Sequence, residues 1–219
     1  MRISSQQWLE YLKLSDFESF TTNFKSDFFE FPDYKQKLDD ARKKTGLDEA
    51  VLTGIASLEG LEFVLAIFEP EFLMGTMSYG VGKKMVNAIN LAIEKKLPFV
   101  AVTASGGARL QEGIFAVIQM VTIQDAYQKL REANLPSINI LADPTMGGVS
   151  ASFAFEANIT AAVVGAQIGF TGKEVIRKQF HQEIPENFQE PDRLKEEGII
   201  EAILKPEAVS TFLKEKFNG

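Results

Sequence analysis

The chain has 219 residues, of which 45% are hydrophobic, and a formal net charge of -7. This length and composition are sufficient for one sizeable α/β domain, and the acidic balance argues against binding to nucleic acid or an anionic membrane. There is no cysteine, which excludes disulfides, thiolate nucleophiles and cysteine-based zinc sites. Without a run of about 18 apolar residues or a signal-peptide pattern, we expect a cytoplasmic protein that is neither exported nor membrane-spanning.

The N-terminal part predicts a helical extension over about residues 1–46 of a single domain spanning residues 1–219. Ser4 or Ser5 caps a first helix, an irregular Phe-rich stretch follows, and a second helix begins near Pro32 and stops at Gly46. The second helix carries a run of basic residues, interpreted as a solvated face, with a local phosphate grip as the alternative. These residues are Lys35, Lys37, Arg42, Lys43 and Lys44.

The middle of the chain predicts a hairpin and then a glycine-rich loop. VLTGIASLEGLEFVLAIFE is rich in β-branched and aromatic residues and is broken at Glu59-Gly60, which indicates two strands joined by a tight turn. The segment from Glu69 to Gly82 contains several glycines and leads into residues of helical periodicity that run to Lys96. A glycine-rich loop therefore precedes this helix.

Two β-α units of similar design follow. An apolar strand beginning at Leu97 leads to Gly106-Gly107 and a helix, and a second beginning at Leu135 leads to Gly147-Gly148 and another helical start. Such apolar strands, without strict alternation, are typical of a parallel sheet that is buried on both faces. In the first helix, apolar residues at helical spacing predict a stripe that faces the core. The stripe consists of Ile114, Val117, Ile118 and Val121.

The last part of the chain predicts shorter elements. Strands are expected within Ile159–Val164 and Gln167–Phe170, and a helix over Lys173–Phe180. A polar loop then leads into a helix, followed by a strand in GIIEAIL and a terminal helix over Pro206–Phe217. We find no long repeat, low-complexity block or linker, which favours one domain.

The glycine pair in TASGGARLQEG indicates a site for an anion. A bare backbone between a strand and a helix can turn sharply, admit a ligand, and direct N–H groups from the positive end of the helix at one oxygen. The sequence contains neither G-x-G-x-x-G here nor a P-loop, so phosphate transfer is disfavoured. The alternative is structural: two tight turns that need glycine for packing.

Few side chains can supply acid-base chemistry. His181, the only histidine, lies in a polar segment and is interpreted as an exposed or loop-packing residue. Ser105 and Ser150 are interpreted as turn or cap hydroxyls, and Glu112 as a helix-dipole partner with a general base as the alternative. Main-chain donors without a side-chain base suit an enolate that backbone N–H groups stabilise.

Several longer motifs together resemble a known family. SGGARLQEG, DPTMGGVSASFA, IGFTGKEVI and EEGIIEAI, with KKTGL and FLMGTMSYGVGKK before them, resemble the β subunit of the carboxyltransferase component of bacterial acetyl-CoA carboxylase. The resemblance covers nearly the whole chain. It implies a crotonase-like (ClpP/crotonase) α/β fold, a spiral of β-β-α units.

This resemblance implies an enzyme of fatty acid biosynthesis. The family transfers a carboxyl group from carboxybiotin, carried by the biotin carboxyl carrier protein, to acetyl-CoA and forms malonyl-CoA. This chain would bind the CoA thioester substrate but no cofactor of its own, and would assemble with an α subunit in a complex of two α and two β chains. The alternatives are a non-catalytic scaffold paralogue and a malonyl-CoA decarboxylase-type subunit on the same fold.

The resemblance also implies roles for the glycine turns. Gly106 and Gly107 would donate N–H groups to the thioester oxygen, while Arg109 would position the loop and the Gly147-Gly148 turn would shape the cleft wall. Ser105 and Ala108 complete the substrate-binding prediction. Lys83, Lys84 and the basic helix are candidates to contact the CoA phosphates.

The chain departs from the family pattern in two places. Members commonly begin with a four-cysteine zinc ribbon, and this chain starts where the ribbon would have ended, so it is either naturally ribbonless or trimmed. With no cysteine and one histidine, we expect no bound zinc. Val163-Val164 stands where the family usually has Glu-Pro, which exchanges a charge and a rigid turn for apolar side chains. Both Gly-Gly turns are untouched by these departures.

Overall fold

One mixed β-sheet organises the described part of the chain, which in a computed structural model comprises residues 2–20, 30–180, 185 and 187–218. The strands are β1 (Asp16–Ser19), β2 (Val51–Leu58), β3 (Leu61–Phe68), β4 (Phe99–Ser105), β5 (Ser137–Met146), β6 (Ile159–Val163), β7 (Ile168–Gly169) and β8 (Ala202–Leu204). Their order is β1-β2-β3-β4-β5-β6-β8, and β7 pairs with the end of β5. The first three strands are antiparallel and the remaining pairings are parallel.

Helices flank this sheet. They are α1 (Ser5–Leu12), α2 (Tyr34–Thr45), α3 (Tyr79–Lys95), α4 (Ile114–Glu132), α5 (Gly147–Ser150), α6 (Lys173–Phe180), α7 (Pro191–Glu196) and α8 (Val209–Asn218). α3 packs against β2, β3 and α4, and α1 packs against α8. Among the described residues, no helix combines the length and the apolar character needed to cross a membrane.

The local signals in the sequence place most elements correctly. Ser4 caps α1 in a capping box with Gln7, and Gly46 ends α2 in a left-handed conformation with φ +71°. The β2–β3 hairpin turns at Glu59-Gly60, where both residues have positive φ. β4 is buried along its whole length, and β5 along most of its length, as the apolar runs predict. The helix and hairpin signals are thus confirmed.

Two segments differ from expectation or fall outside the description. The Phe-rich stretch is not wholly irregular, because Asp16–Ser19 forms β1 and pairs with β2, while residues 21–29 lie outside the described part. At the family departure, Val163 is buried at the end of β6 and Val164 is exposed. The apolar replacement at Val163 therefore faces the interior, where it pairs with Leu204 of β8.

The prediction that the α4 stripe faces the core is wrong. Its four residues are exposed: Ile114, Val117, Ile118 and Val121. The buried face of α4 instead presents Ala116, Gln119, Met120 and Ile123. The cause is that α4 is apolar on both sides, so periodicity alone cannot choose the inner one. α3 approaches closely because Gly82 has no side chain where the Gln119 side chain lies.

Candidate functional site

The two glycine turns interlock at the carboxyl ends of β4 and β5. Gly107 has φ +108° and Gly147 has φ +63°, conformations that favour glycine. A Cβ on Gly107 would lie 3.2 Å from the Gly147 Cα, and a Cβ on Gly147 would lie 3.1 Å from the Gly107 Cα. Both turns therefore need bare backbone to approach each other, which supports the structural requirement for glycine, while the chemical role of the pair stays a prediction.

A second loop fixes the first turn from its other side. The Gly106 N–H donates to the Met74 carbonyl at 2.9 Å, the Met77 N–H donates to the Gly107 carbonyl at 2.8 Å, and the Arg109 N–H donates to the Met77 carbonyl at 2.8 Å. These bonds join residues 74–77, which follow β3, to residues 106–109, which follow β4. The turn is thereby held between this loop and the Gly147-Gly148 turn.

The N–H groups at the turn differ in their availability. Gly106 is exposed, but its N–H is engaged by the Met74 carbonyl. The Gly107 N–H donates to the Ser105 Oγ at 3.1 Å, so the interpretation of Ser105 as a turn hydroxyl is confirmed. The Ala108 N–H has no hydrogen-bond partner among the described residues. The two N–H donors predicted from the sequence, those of Gly106 and Gly107, are therefore already hydrogen-bonded in this conformation. The N–H group without a partner in the described part of the chain belongs to the next residue, Ala108.

Arg109 anchors the loop from within the protein. Its side chain is only 1% exposed. Nη1 donates to both Glu49 carboxylate oxygens at 2.7 and 3.0 Å, and Nη2 and Nε donate to the carbonyl and hydroxyl oxygens of Thr76. Burial by itself lowers the pKa of Arg109, but the Glu49 carboxylate and the Tyr34 hydroxyl more than offset it, so the pKa is raised. Arg109 is thus a buried cation that positions the loop.

Glu112 belongs to the same buried network. Its carboxylate accepts from the Tyr34 hydroxyl at 2.5 Å and from the Tyr79 N–H, in the first turn of α3, at 2.6 Å. The Arg109 Nη1 lies 3.7 Å from it. Burial raises the pKa of Tyr34, which therefore stays a neutral donor. Glu112 is thus a dipole partner of α3. The prediction put it in the first turn of the helix that follows it in the chain, but α4 begins later, at Ile114, and its first turn holds no acidic residue.

A cavity of about 350 Å³ opens beside Gly106. Apolar side chains form most of its wall: Leu73, Met74, Ala108 and Leu110. Thr76, Gln111 and the buried Arg109 complete the lining. The cavity therefore offers an apolar chain a path to the glycine turn.

The second turn is held by its own contacts. The Gly147 N–H donates to the Phe170 carbonyl at 3.1 Å, and the Ser150 hydroxyl contacts the carbonyls of Gly147 and Gly169 at 2.9 Å each. The Met120 side chain occupies the space where Gly148 would otherwise carry a Cβ. Ser150 is therefore a turn hydroxyl, as predicted, and the bare backbone at Gly148 leaves room for the flexible end of the Met120 side chain from α4.

A larger cavity of about 580 Å³ lies between β7 and α7. Its apolar lining includes Ile168, Phe170, Phe188 and Leu194. β7 pairs with the end of β5, so this cavity adjoins the Gly147-Gly148 turn on the side away from Gly107. This cavity was not predicted from the sequence.

The basic candidates divide into buried and exposed residues. Lys84 is 3% exposed, and burial lowers its pKa despite Asp48 and Glu49, which raise it. This burial contradicts the prediction that Lys84 contacts CoA phosphates. Lys83 lies over the Tyr79 ring at 5.4 Å, and its role in phosphate contact stays a prediction. His181 lies outside the described residues.

Tyr34, Glu49 and Met74 are among the site residues that were not predicted from the sequence. Glu49 and Tyr34 reach Arg109 across 60 and 75 positions of the chain, so no local signal relates them to the glycine turn. Met74 could have been found, because it lies in the glycine-rich loop that the sequence places before α3. Its carbonyl and side chain both lie at the turn.

An exposed apolar surface lies directly beyond the turn. This surface, called here the α4 face, consists of Leu110, Ile114, Phe115, Val117, Ile118 and Val121. Leu110 is 85% exposed, Ile114 64% and Val121 62%. A contiguous apolar patch rimmed by polar residues marks an interaction site in soluble proteins. The patch begins at the cavity, since Leu110 belongs to both.

Comparisons with solved structures agree with this architecture. The transcarboxylase 12S core superimposes with a TM-score of 0.80 at 20% identity, over 97% of this chain and 40% of that chain. The malonate decarboxylase heterodimer of Pseudomonas gives a TM-score of 0.75 at 22% identity, over 98% of this chain and 85% of that chain. At such identities the likeness shows the fold alone, and it confirms the predicted crotonase-like class.

Comparisons of sequence identify the family. Residues 18–193 match the carboxyl transferase domain. The chain is 47% identical over 177 residues to the acetyl-coenzyme A carboxylase carboxyl transferase subunit beta of Carboxydothermus hydrogenoformans, over 81% of this chain and 63% of that protein. It is 40% identical over 203 residues to the subunit of the same name from Lactobacillus delbrueckii subsp. bulgaricus, over 93% and 72%. The chain, which spans about two thirds of these relatives, belongs to the carboxyl transferase family and, within it, to the acetyl-coenzyme A carboxylase beta subunits.

Proposed function

We propose that this chain is the β half of a carboxyltransferase that moves a carboxyl group from carboxybiotin to acetyl-CoA and forms malonyl-CoA. The observation that carries the proposal is the interlocked pair of glycine turns. They occur in a chain that is 40–47% identical to acetyl-coenzyme A carboxylase carboxyl transferase beta subunits. The acidic, cysteine-free composition is consistent with a cytoplasmic protein of fatty acid biosynthesis.

The turn would stabilise the negative charge that develops on the thioester oxygen. Donors that are fixed before the reaction and aimed at a developing oxyanion lower the barrier most. In the proposed complex, the thioester oxygen replaces the Ser105 Oγ as the acceptor of the Gly107 N–H, and the Ala108 N–H is the second donor. Gly106 donates only if its bond to the Met74 carbonyl opens, so we assign it first to holding the turn.

The described part of this chain places no side-chain base at the turn. Glu112 is buried, and its carboxylate is bonded to Tyr34 and Tyr79. When bound, carboxybiotin supplies both the carboxyl group and the base that takes the acetyl proton. This chain would therefore bind and orient the thioester and stabilise its charge, while Arg109 keeps the loop in place.

The α4 face would be covered by the α subunit, in a complex of two α and two β chains. Obligate interfaces are larger and more apolar than transient ones, and the α4 face has the composition of such an interface. Because Leu110 belongs to both the α4 face and the cavity, an α subunit on this face would lie beside the glycine turn, where the biotin carrier protein would deliver its group. The active site would thus be completed between two chains.

Purified chain, α subunit, carboxylated carrier protein and acetyl-CoA test the proposal directly. Formation of malonyl-CoA that requires all four components supports it. A decarboxylase subunit would instead release carbon dioxide from malonyl-CoA, and a scaffold would assemble with α without either reaction. Either of those results would replace the proposal by the corresponding alternative.

A further inference from the structure

We propose that the side chain of Met74 limits the length of the acyl chain that binds at the glycine turn. The inference rests on the proposed function, because it concerns the acyl-CoA that this turn would hold. Met74 is 48% exposed, although Phe72 and Gly75 close to it in the chain are buried and Leu73 is partly buried. Among residues that are not chain neighbours, its side chain is the nearest to Gly106: Cε and Cβ lie 3.3 and 3.5 Å from where a Gly106 Cβ would be.

The main chain fixes the position from which Met74 projects. Leu73, Met74 and Gly75 all have left-handed φ, at 46°, 60° and 64°. Residues other than glycine adopt the left-handed region of φ and ψ only where the surrounding structure imposes it. Here Gly75 lies so close to β4 that a Cβ would overlap the Ala104 carbonyl oxygen, and the Met74 carbonyl holds the Gly106 N–H. Met74 therefore has a defined backbone position beside the turn.

The chemistry of the cavity suits an acyl chain. Among the described residues that line the cavity, Arg109 is the one that carries a charge, and its side chain is buried and bonded to Glu49. Leu73, Met74 and Leu110 present hydrocarbon or thioether surface. A thioester whose oxygen lies at the Gly107 N–H would place its acyl carbons within a few ångströms of Gly106, against Met74. At about 350 Å³ the cavity is larger than an acetyl group needs, so its total volume does not limit the length of the acyl chain. The wall nearest Gly106, formed by Met74, sets that limit instead.

The flexible thioether side chain of Met74 can move aside in part, but it still occupies space next to the turn. Methionine is flexible and fills irregular space, so an acetyl group fits beside it while each added methylene must displace it. Discrimination by one methylene in an apolar pocket typically amounts to about 10-fold to 200-fold. Removal of the side chain beyond Cβ should therefore change the ranking of acyl chains more than it changes the use of acetyl-CoA.

The test compares acetyl-, propionyl- and butyryl-CoA with wild-type, Met74→Ala and Met74→Leu proteins in the assembled α–β enzyme. We expect Met74→Ala to raise the propionyl-to-acetyl ratio of kcat/KM by about tenfold or more. Met74→Leu, which keeps the volume, should return the ratio towards that of wild type. Acyl-CoA dissociation constants, measured by calorimetry on the same complexes, should shift in the same order.

Each result has a distinct meaning. An unchanged ratio in Met74→Ala, or an equal loss for all three thioesters, overturns the inference; the second result would place Met74 against the part of CoA that the substrates share. Wild-type binding of acetyl-CoA without carboxyl transfer would overturn the proposed function, and the ratio of dissociation constants would still decide the role of Met74. Absence of binding to wild type would overturn both.

Discussion

Replacement of Gly107 by alanine should remove carboxyl transfer while leaving the protein folded. The new Cβ would lie 3.2 Å from the Gly147 Cα and 3.4 Å from the Met146 carbonyl oxygen. The added methyl group would therefore crowd the backbone of the second turn. The φ of +108° adds strain for any side chain. The two turns must separate by a few tenths of an ångström, and the Gly107 N–H moves with them.

The expected magnitudes separate activity from stability. An oxyanion donor has to lie about 2.7 to 3.1 Å from the oxygen, and loss of one such donor typically costs about 10² to 10³ in rate. The backbone strain costs about 1 to 3 kcal/mol of folding free energy. At this chain length each kcal/mol lowers the melting temperature by about 2 to 4 °C. Gly107→Ala should therefore lose about 99% or more of kcat while melting no more than about 12 °C lower.

A matched variant controls for backbone strain. Gly60, in the β2–β3 turn, also has positive φ, at +88°, but a Cβ there would meet no atom within 4 Å. Gly60→Ala should show a comparable strain cost and near wild-type transfer, measured as malonyl-CoA formed with α chain and carrier present. Circular dichroism and thermal melting report folding for both variants. Near wild-type transfer by Gly107→Ala, or equal inactivation by Gly60→Ala, would refute the reasoning.

The remaining predictions concern the contacts around the turn. Arg109→Met should destabilise the protein by about 3 to 5 kcal/mol, since it removes the guanidinium that pairs with the buried Glu49 carboxylate and leaves that charge with the Ser78 hydroxyl as its hydrogen-bond donor. Denaturant unfolding measures this loss, and a loss below about 1 kcal/mol would contradict the prediction. Ser105→Ala should keep substantial activity, because the thioester oxygen replaces its Oγ in the complex; complete loss in a folded variant would make the hydroxyl part of the chemistry. Val121→Asp should change the free energy of unfolding of the monomer by no more than about 0.5 kcal/mol, because Val121 is exposed, but weaken association with α by about 100-fold. Sedimentation measures the association, and undiminished association would mean that Val121 is not part of the interface.

Local signals account for what could be predicted of the fold. Ser4, Gly46 and the Glu59-Gly60 turn act through contacts with near neighbours in the chain, so their effects are visible in the sequence. The parallel strands are visible because burial on both faces demands uninterrupted apolar residues. The inner face of α4 was not predictable, because a helix that packs against the core on one side and exposes apolar residues on the other carries no contrast.

The same distinction applies to the site. The glycine pairs mark the turns because Gly107 and Gly147 have positive φ and lie against each other's backbone, and Arg109 lies beside the first pair in the sequence. Its partner Glu49 comes from the loop before β2 and Tyr34 from the start of α2, and only the folded sheet brings them together. The hydrogen bonds that occupy the Gly106 and Gly107 N–H groups also depend on tertiary structure, so the sequence could indicate the donors but not their availability.

The central claim is that the backbone of the Gly107 turn, completed by an α subunit, stabilises the charge that develops during carboxyl transfer. The most direct measurement is malonyl-CoA formation by wild-type and Gly107→Ala complexes, with α chain, carboxylated carrier and saturating acetyl-CoA. The account predicts malonyl-CoA from the wild-type complex, none from this chain without α, and a rate at least about 100-fold lower for the folded variant. A wild-type complex that assembles and forms no malonyl-CoA, or a variant that matches it in rate, would contradict the account.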